Sequence, residues 1–222
     1  MKIVHVIPNL LKGGAERLCI DICNELIKRD GVEVKLVVLS EENLYADLTE
    51  NIDIVHCPVT FNLSISKKNE IDISSYSDFI DSYQPDVVHS HLYLAEIISR
   101  ENTTEKTRYF THLHDNMPQL LKGSGSTLLK KERVTNYFER TRLLKKYTKC
   151  NNQFISISKN ASIYFSENLP KALSKITLIP NAINLSQFSK PKDWVKKKSK
   201  KLELVSIGSL VDKKNHTFLI GI

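Results

Sequence analysis

The sequence has 222 residues, of which 41% are hydrophobic, and its formal net charge is +7. This length and apolar fraction are enough for a folded domain with a core, and they exclude a disordered chain. A membrane-spanning helix needs about 18 consecutive apolar residues, and no such run occurs. The opening MKIVHVIP is too short, and too soon interrupted by Pro8, for a signal peptide.

Seven short runs rich in Val and Ile alternate with stretches of helical spacing. The runs that we predict as strands are Ile3–Ile7, Val32–Leu39, Ile52–Cys57, Val87–His91, Tyr109–His114, Gln153–Ser158 and Lys175–Ile179. Strands that are apolar on both faces and alternate with helices indicate a parallel sheet covered on both sides. The predicted fold class is α/β, with a doubly wound, mostly parallel Rossmann-like sheet and helices on both faces.

Two of the intervening helices have a periodic apolar pattern. The first presents one face made of Ala15, Leu18, Cys19, Ile22 and Leu26, and we expect Gly31 to close it. The second, in a basic region, repeats the pattern with Val134, Tyr137, Phe138, Thr141 and Leu144. The polar segment 60–73 breaks the alternation, and we interpret it as a surface excursion before a helix that ends near Gln84.

Positive charge is concentrated in two segments. Residues 122–149 hold nine Lys or Arg and two Glu, and residues 190–201 hold seven Lys and one Asp. These segments are either a solvated helix face and a solvated linker or binding surfaces for an anionic partner, such as an acidic membrane or a phosphorylated substrate. We expect no nucleic-acid partner, because no recognition motif accompanies the basic residues.

The four cysteines form no CxxC pair and no tight framework. Cys19, Cys23, Cys57 and Cys150 are therefore interpreted as small apolar residues in a reducing compartment, which predicts a cytoplasmic location.

Polar residues and glycines follow the predicted strands, at the sheet edge where α/β proteins bind ligands. Gly13 and Gly14 precede the first helix, where a bare backbone and free N–H groups suit a phosphate. The alternative is an ordinary tight turn. Neither GxGxxG nor the GxxxxGK[ST] loop is present, so the common nucleotide-binding motifs are excluded.

Two HxH pairs, His89/His91 and His112/His114, lie on strands that should be neighbours. Four converging imidazoles would resemble a zinc hydrolase site. We expect strand twist to spoil the alignment, and no carboxylate ligand is evident, so no metal and no cofactor are predicted. His114, which is followed by Asp115, lies furthest out on its strand and is the best candidate to contact a substrate.

Four motifs in this order and spacing carry a family resemblance: GGAER at 13–17, PDVVHSH at 85–91, THLHD at 111–115 and IPNAINLSQF at 179–188. Together they resemble the amino-terminal half of retaining glycosyltransferases of family four, which have the two-domain GT-B architecture. The tail LVSIGSLVDKKNHTFLI resembles the first strand, loop and helix of the second domain. It has Ser209 where the family usually has an arginine that contacts the donor diphosphate, which puts donor affinity in doubt.

The resemblance implies transfer of a sugar from a nucleotide-sugar donor to a saccharide or lipid-linked acceptor with retained configuration. The leaving diphosphate would be stabilised by helix termini and Lys or Arg rather than by a metal. It implies His114 as the catalytic residue, and it implies donor contacts from Gly13, Gly14, Ser209 and Lys214. Acceptor contacts would come from Glu16, Arg17, His91, Asp115 and Asn181. Glu16 also suits the helix dipole, so simple capping is the alternative for that residue.

The resemblance also divides the chain. Residues 1–189 would be the acceptor-binding domain, 190–201 a basic linker, and 202–222 the first strand and the start of a helix of a truncated donor-binding domain. A deliberately shortened chain, a disrupted gene or a separately encoded half would each explain this division. In every case we expect the 222-residue chain alone not to turn over a nucleotide sugar.

Surface polysaccharide or glycoconjugate synthesis is the expected setting. Candidate partners besides donor and acceptor are an anionic membrane surface, at the inner face of the plasma membrane, and a second chain that carries the donor domain. Two other functions stay open: a non-catalytic acceptor-binding or partner subunit, and a zinc-dependent hydrolase that uses the HxH pairs.

Overall fold

A computed structural model describes residues 1–62, 70–122, 131–173, 175–185, 205–208 and 215–220. Its centre is a seven-stranded sheet in which every pair of neighbouring strands is parallel, with the order β3-β2-β1-β6-β7-β8-β9. The strands are β1 (Lys2–Ile7), β2 (Glu33–Val38), β3 (Asp53–His56), β6 (Val87–His91), β7 (Arg108–Leu113), β8 (Gln153–Ser156) and β9 (Ile176–Leu178). All seven predicted strands are present, and the predicted fold class is confirmed.

Helices connect the strands. They are α1 (Gly14–Leu26), α2 (Ala46–Thr49), α3 (Ser74–Tyr83), α4 (Tyr93–Ile98), α5 (Lys131–Lys149), α6 (Lys159–Asn168) and α7 (His216–Ile220), with 3₁₀ turns at Pro118–Leu120 and Lys171–Leu173. The predicted surface excursion contains a separate antiparallel pair, β4 (Thr60–Asn62) and β5 (Glu70–Asp72). Within the described residues, no helix is long and apolar enough to cross a membrane.

The sheet is buried on both faces because successive residues of its central strands enter different cores. Val4 and Val6 of β1 pack with Tyr76 of α3 and Ile98 of α4. Ile7 of the same strand belongs to another cluster, whose members include Leu36 and Val38 of β2 and Cys19, Ile20 and Cys23 of α1. This arrangement explains why β1, β2 and β6 are buried at nearly every position.

Two predictions about the helices were wrong in detail. Helix α1 ends at Leu26, and Gly31, with φ of 73°, lies in the turn that leads into β2 instead of capping the helix. In α5 the predicted core face is largely exposed, since Tyr137 and Phe138 are 59% and 55% exposed. The buried positions are Leu143 and Tyr147, which pack on Phe154 and its neighbours. Apolar residues occur on several sides of this helix, so spacing alone did not identify the packed side.

A buried arginine joins the middle strands on the face opposite to α1. Arg100, 1% exposed, follows α4 and donates hydrogen bonds to Ser90 of β6, Thr111 of β7 and Asn152 just before β8. A buried guanidinium is tolerated only when its donors are satisfied. These bonds therefore help to fix the relative positions of β6, β7 and β8.

The described residues form two compact units, Met1–Ile183 and Asn184–Ile222. The sheet lies in the first unit. In the second unit, residues 205–208 have no regular secondary structure and α7 spans His216–Ile220. The predicted linker 190–201 lies outside the described residues, so the predicted domain boundaries stay a prediction.

Candidate functional site at the carboxyl edge of the sheet

The topology creates a divergence point between β1 and β6. From β1 the chain first builds β2 and β3 on one side, and it then returns to build β6, β7, β8 and β9 on the other side. Open α/β sheets bind ligands at such a switch point, outside the carboxyl ends of the strands. Gly13 follows β1, His91 ends β6 and His114 follows β7, so these three predicted residues lie along one edge of the sheet.

Five histidines from three adjacent strands form a stacked group, which we call the histidine cluster: His5 of β1, His89 and His91 of β6, His112 of β7 and His114. Neighbouring rings have centroids 4.5 to 5.3 Å apart. They share one face because register partners in parallel strands and residues two apart on one strand point the same way. The expectation that strand twist would spoil the HxH alignment was therefore wrong.

Hydrogen bonds link the rings into two short chains. His5 Nδ1 lies 3.0 Å from His91 Nε2, and His91 Nδ1 lies 2.9 Å from His114 Nε2. A second chain joins His112 Nδ1 to His89 Nε2 at 3.2 Å. Each contact needs one protonated and one bare nitrogen, so the tautomer of one ring determines that of the next.

Burial keeps these imidazoles neutral. It lowers the pKa of His5 to about 3 and of His114 to about 3, with the positive charge of a protonated His112 as the second cause in both. Burial alone lowers the pKa of His112 to about 4. For His89 and His91 burial is again the largest cause, and their pKa values lie well below the usual range. At neutral pH the cluster therefore offers uncharged donors and acceptors.

A cavity of about 390 Å³ opens beside the outer end of the histidine cluster. It is lined by Leu92, Tyr93, Leu94, Glu96, His112, His114, Asp115, Met117, Pro118 and Gln119. Among the described residues, three of these side chains have a buried polar atom without a hydrogen-bond partner: Tyr93 OH, Glu96 Oε1 and His112 Nε2. Unpaired buried polar atoms are unfavourable, and three of the residues that line this cavity have one, which makes the cavity a candidate place for a hydrogen-bonding ligand.

Glu96 is the acidic group of this cavity, and its side chain is fully buried. Its Oε2 accepts hydrogen bonds from the hydroxyls of Tyr147 and Thr111. Burial raises the pKa of Glu96 to about 7, although the nearby Arg100 charge lowers it. The carboxyl group can therefore exchange a proton near neutral pH. The sequence signal was a single carboxylate in the apolar run Leu92–Ile98.

A larger cavity of about 580 Å³ lies at the opposite edge of the sheet, where β7 and β8 begin. It is lined by Thr103, Thr104, Glu105, Thr107, Arg108, Lys149, Cys150, Asn151 and Gln153. We assign the functional site to the smaller cavity, because the histidine cluster and the unpaired polar atoms lie there.

Gly13 and Gly14 are at the predicted place but differ in their surroundings. The Gly13 N–H donates to the Tyr45 hydroxyl at 3.1 Å, and that hydroxyl donates to the Gly13 carbonyl at 3.1 Å. A Cβ at position 13 would overlap the Glu16 carboxylate, whereas one at position 14 would meet nothing within 4 Å. The backbone at Gly14 is thus open to a ligand, and that at Gly13 is engaged within the chain.

The first turn of α1 also holds Glu16 and Arg17. The Glu16 carboxylate folds back towards Gly13, at the positive end of the helix, which agrees with a capping role. A carboxylate there opposes the binding of a second anion. The Arg17 guanidinium donates to both carboxylate oxygens of Asp21 at 3.1 Å.

Two further predicted residues, Asp115 and Asn181, lie at the same edge. Asp115 is exposed and lines the cavity with His114. Asn181 is exposed and follows β9, two strands away from β7. Ser209 and Lys214 lie outside the described residues. Sequence reasoning missed His5, Tyr93 and Glu96; only the alternation of IVHVI, which gives His5 a definite face, hinted at the first.

Comparison with solved structures shows this fold in proteins of low sequence identity. The Anabaena protein Alr3699/HepE, solved in complex with UDP and glucose, gives a TM-score of 0.59 at 16% identity over 86% of this chain and 47% of that protein. A glycosyltransferase from Rickettsia africae ESF-5 gives a TM-score of 0.52 at 18% identity, over 84% of this chain and 44% of that protein. The lipopolysaccharide outer core galactosyltransferase WaaB, in its apo form, gives a TM-score of 0.52 at 10% identity, over 83% of this chain and 47% of that protein.

The chain thus spans about half the length of these proteins. No protein of curated function matches the sequence. The sequence profile of Glycosyltransferase Family 4 matches residues 12–187, which is most of the chain and includes both HxH pairs. With its Rossmann-like sheet and its GT-B structural neighbours, the chain belongs to Glycosyltransferase Family 4.

Proposed function

We propose that this chain supplies the acceptor-binding half of a glycosyltransferase that uses a nucleotide-sugar donor. The observation that carries the proposal is the cavity beside His114, where Tyr93, Glu96 and His112 each present an unpaired buried polar atom. Sugar hydroxyls both donate and accept hydrogen bonds, so a saccharide matches a wall that contains phenol, carboxyl and neutral imidazole groups.

In this proposal His114 contacts the sugar at the reacting end, and Asp115 holds the acceptor at the mouth of the cavity. The uncharged sugar of the donor would approach the open backbone at Gly14, since the Glu16 carboxylate opposes an anion there. Transfer would proceed with retention through an oxocarbenium-like transition state, and helix termini and basic side chains would stabilise the leaving diphosphate. The acceptor would be a saccharide or a lipid-linked saccharide of surface polysaccharide or glycoconjugate synthesis.

Membrane attachment is a further part of the proposal. Tyr137 and Phe138 expose an aromatic pair on α5, with ring centroids 5.8 Å apart, in a helix rich in Lys and Arg. Exposed aromatic rings beside basic residues suit an anionic lipid surface, which would bring the acceptor cavity close to lipid-linked saccharides at the inner face of the plasma membrane.

Calorimetry tests the acceptor site by measuring the affinity of the 222-residue chain for each saccharide of a panel. We expect His114→Ala and Glu96→Gln each to weaken the affinity by about 10-fold, the value of one hydrogen bond to a buried partner. Gln153→Ala, in the cavity at the opposite edge, is the matched control and should change nothing. Equal affinities for all four proteins, or loss of binding only in Gln153→Ala, would refute the assignment.

A further inference from the structure

A group of potential metal-ligand atoms lies deeper in the molecule than the cavity, between β1 and α1. His5, Cys19 and Cys23 each offer one ligand atom, and these atoms all lie within 4.8 Å of one another. All three side chains are fully buried. Cys19 and Cys23 are four residues apart on α1 and belong to one core cluster, so both thiols are on the side of the helix that packs on the sheet.

One ring nitrogen of His5 is without a hydrogen-bond partner among the described residues. Its Nδ1 is hydrogen-bonded to His91, whereas its Nε2 is buried and has no hydrogen-bond partner in the described part of the chain. A buried imidazole nitrogen without a partner is destabilising. A bound cation between the two sulfurs and this nitrogen would remove that cost.

We propose that His5, Cys19 and Cys23 form a binding site for a soft d¹⁰ metal ion, Cu(I) or Zn(II). Sulfur and imidazole ligands favour these ions over the oxygen-preferring Mg²⁺ and Ca²⁺. Metal–sulfur and metal–nitrogen distances of about 2.3 and 2.0 Å place the atoms of a trigonal ligand set about 4 Å apart. The separations between the three ligand atoms, at most 4.8 Å, therefore need to shorten by no more than about 1 Å.

The chemistry of the site balances without a further reactant. Each thiol gives up its proton to solvent when its sulfur binds the ion, so loading releases two protons and becomes more favourable as pH rises. Burial raises the pKa of the Cys19 thiol, so this group keeps its proton in the metal-free site in a reducing buffer. Three ligands at the edge of an apolar core cluster suit Cu(I), whereas Zn(II) usually takes a fourth ligand.

The site is linked to the carboxyl edge of the sheet through the histidine cluster. A metal on His5 Nε2 leaves the His5 proton on Nδ1, which then donates to His91 Nε2. His91 must carry its own proton on Nδ1 and donate to His114 Nε2, so His114 keeps its proton on Nδ1. Metal loading would thus select one tautomer of the histidine that faces the cavity.

The test uses Co(II) as a spectroscopic probe on the whole 222-residue chain, refolded anaerobically with one equivalent of the ion so that the buried site is accessible. We expect a sulfur-to-cobalt charge-transfer band in the near ultraviolet, which added Cu(I) or Zn(II) removes. Loss of a residue that is hydrogen-bonded to a metal ligand, such as His91, is expected to weaken metal binding about 10- to 100-fold. Cys19→Ser and Cys23→Ser each remove a ligand itself, so each should weaken metal binding by more than that. Cys57→Ser, a substitution of another buried cysteine, is the matched control and should retain the band.

A second measurement uses the parent sequence, so that it still tests the proposal if the serine variants fail to fold. Alkylation followed by mass spectrometry should show that Zn(II) or Cu(I) slows the modification of Cys19 and Cys23 and leaves Cys150 unchanged. No charge-transfer band, a band that persists in both serine variants, or equal protection of all four cysteines would overturn the proposal.

Discussion

The buried imidazoles make protonation the dominant event at the residue scale. A histidine whose pKa is lowered by folding stabilises the protein above its unfolded value of 6.5, and this contribution is lost as the pH falls towards the folded value. His5, His112 and His114 have folded pKa values of about 3 to 4, and those of His89 and His91 are also lowered. All five groups therefore act in the same direction over the same interval.

We predict that this protein unfolds in acid at an unusually high pH. With five protons taken up on unfolding, the free energy of unfolding falls by up to roughly 7 kcal/mol per pH unit once the pH is well below 6.5. A domain of ordinary stability then unfolds near about pH 5. Denaturant titrations between pH 8 and 5 measure this slope.

A pair of variants identifies the source of the slope. His89→Gln keeps a donor and an acceptor for His112 but cannot titrate, so its slope should be smaller by about 1.4 kcal/mol per pH unit. The exposed His56 is the control, and His56→Gln should keep the slope of the parent chain. A free energy of unfolding that stays constant from pH 6.5 to 5 would show that the histidine cluster is not buried as described.

At the scale of elements, the strands were predictable and the packing of α5 was not. Short runs such as VVHSH and EVKLVV are rich in Val and buried at most positions, which is typical of strands in a parallel sheet that is covered on both faces. Helix α5 has apolar residues on several sides, and the interaction of Tyr147 with Glu96 lies on the buried side. That contact joins residues far apart in the sequence, so no local pattern could show it.

The same reasoning applies to the site. The two HxH pairs and Asp115 were identifiable from position alone, because strand ends are where α/β folds bind ligands. The addition of His5 depends on the register between β1 and β6, which pairs His5 with His89. The position of Glu96 at the cavity depends on the path of the chain after Leu92, a residue with φ of 69°. Register and loop conformation are tertiary properties, and the sequence pattern contains neither.

Helix α5 gives a prediction with two readouts. Leu143→Ala should lower the free energy of unfolding by about 2 to 4 kcal/mol, because it leaves a cavity in the core. Tyr137→Ser and Phe138→Ser should each change it by less than about 0.5 kcal/mol, because these rings face solvent. Co-sedimentation with anionic vesicles should show the reverse order, with weaker binding by the two serine variants.

Two results would contradict this description of α5. If Tyr137→Ser destabilised the protein as much as Leu143→Ala, the helix would be packed on the face that spacing predicted. If the serine variants bound vesicles as well as the parent chain, or if binding ignored the anionic lipid content, the exposed aromatic pair would have no role at a membrane.

At the scale of the whole molecule, the chain has the family fold over about half the length of its solved relatives. Its seven parallel strands place the ends of β1, β6 and β7 side by side at the switch point. The histidine cluster and the cavity result from that topology, because only parallel neighbours bring His5, His91 and His114 to one edge. The proposed function therefore requires that this edge of the sheet binds the acceptor.

Chemical-shift mapping of the isotope-labelled 222-residue chain, titrated with saccharide acceptors, tests that claim most directly. The account predicts that the largest shifts occur in 92–96 and 112–119, around the cavity beside His114, and that they disappear in His114→Ala. Shifts confined to 103–108 and 149–153, at the opposite edge of the sheet, would contradict it. A uniform response without a localised site would contradict it equally.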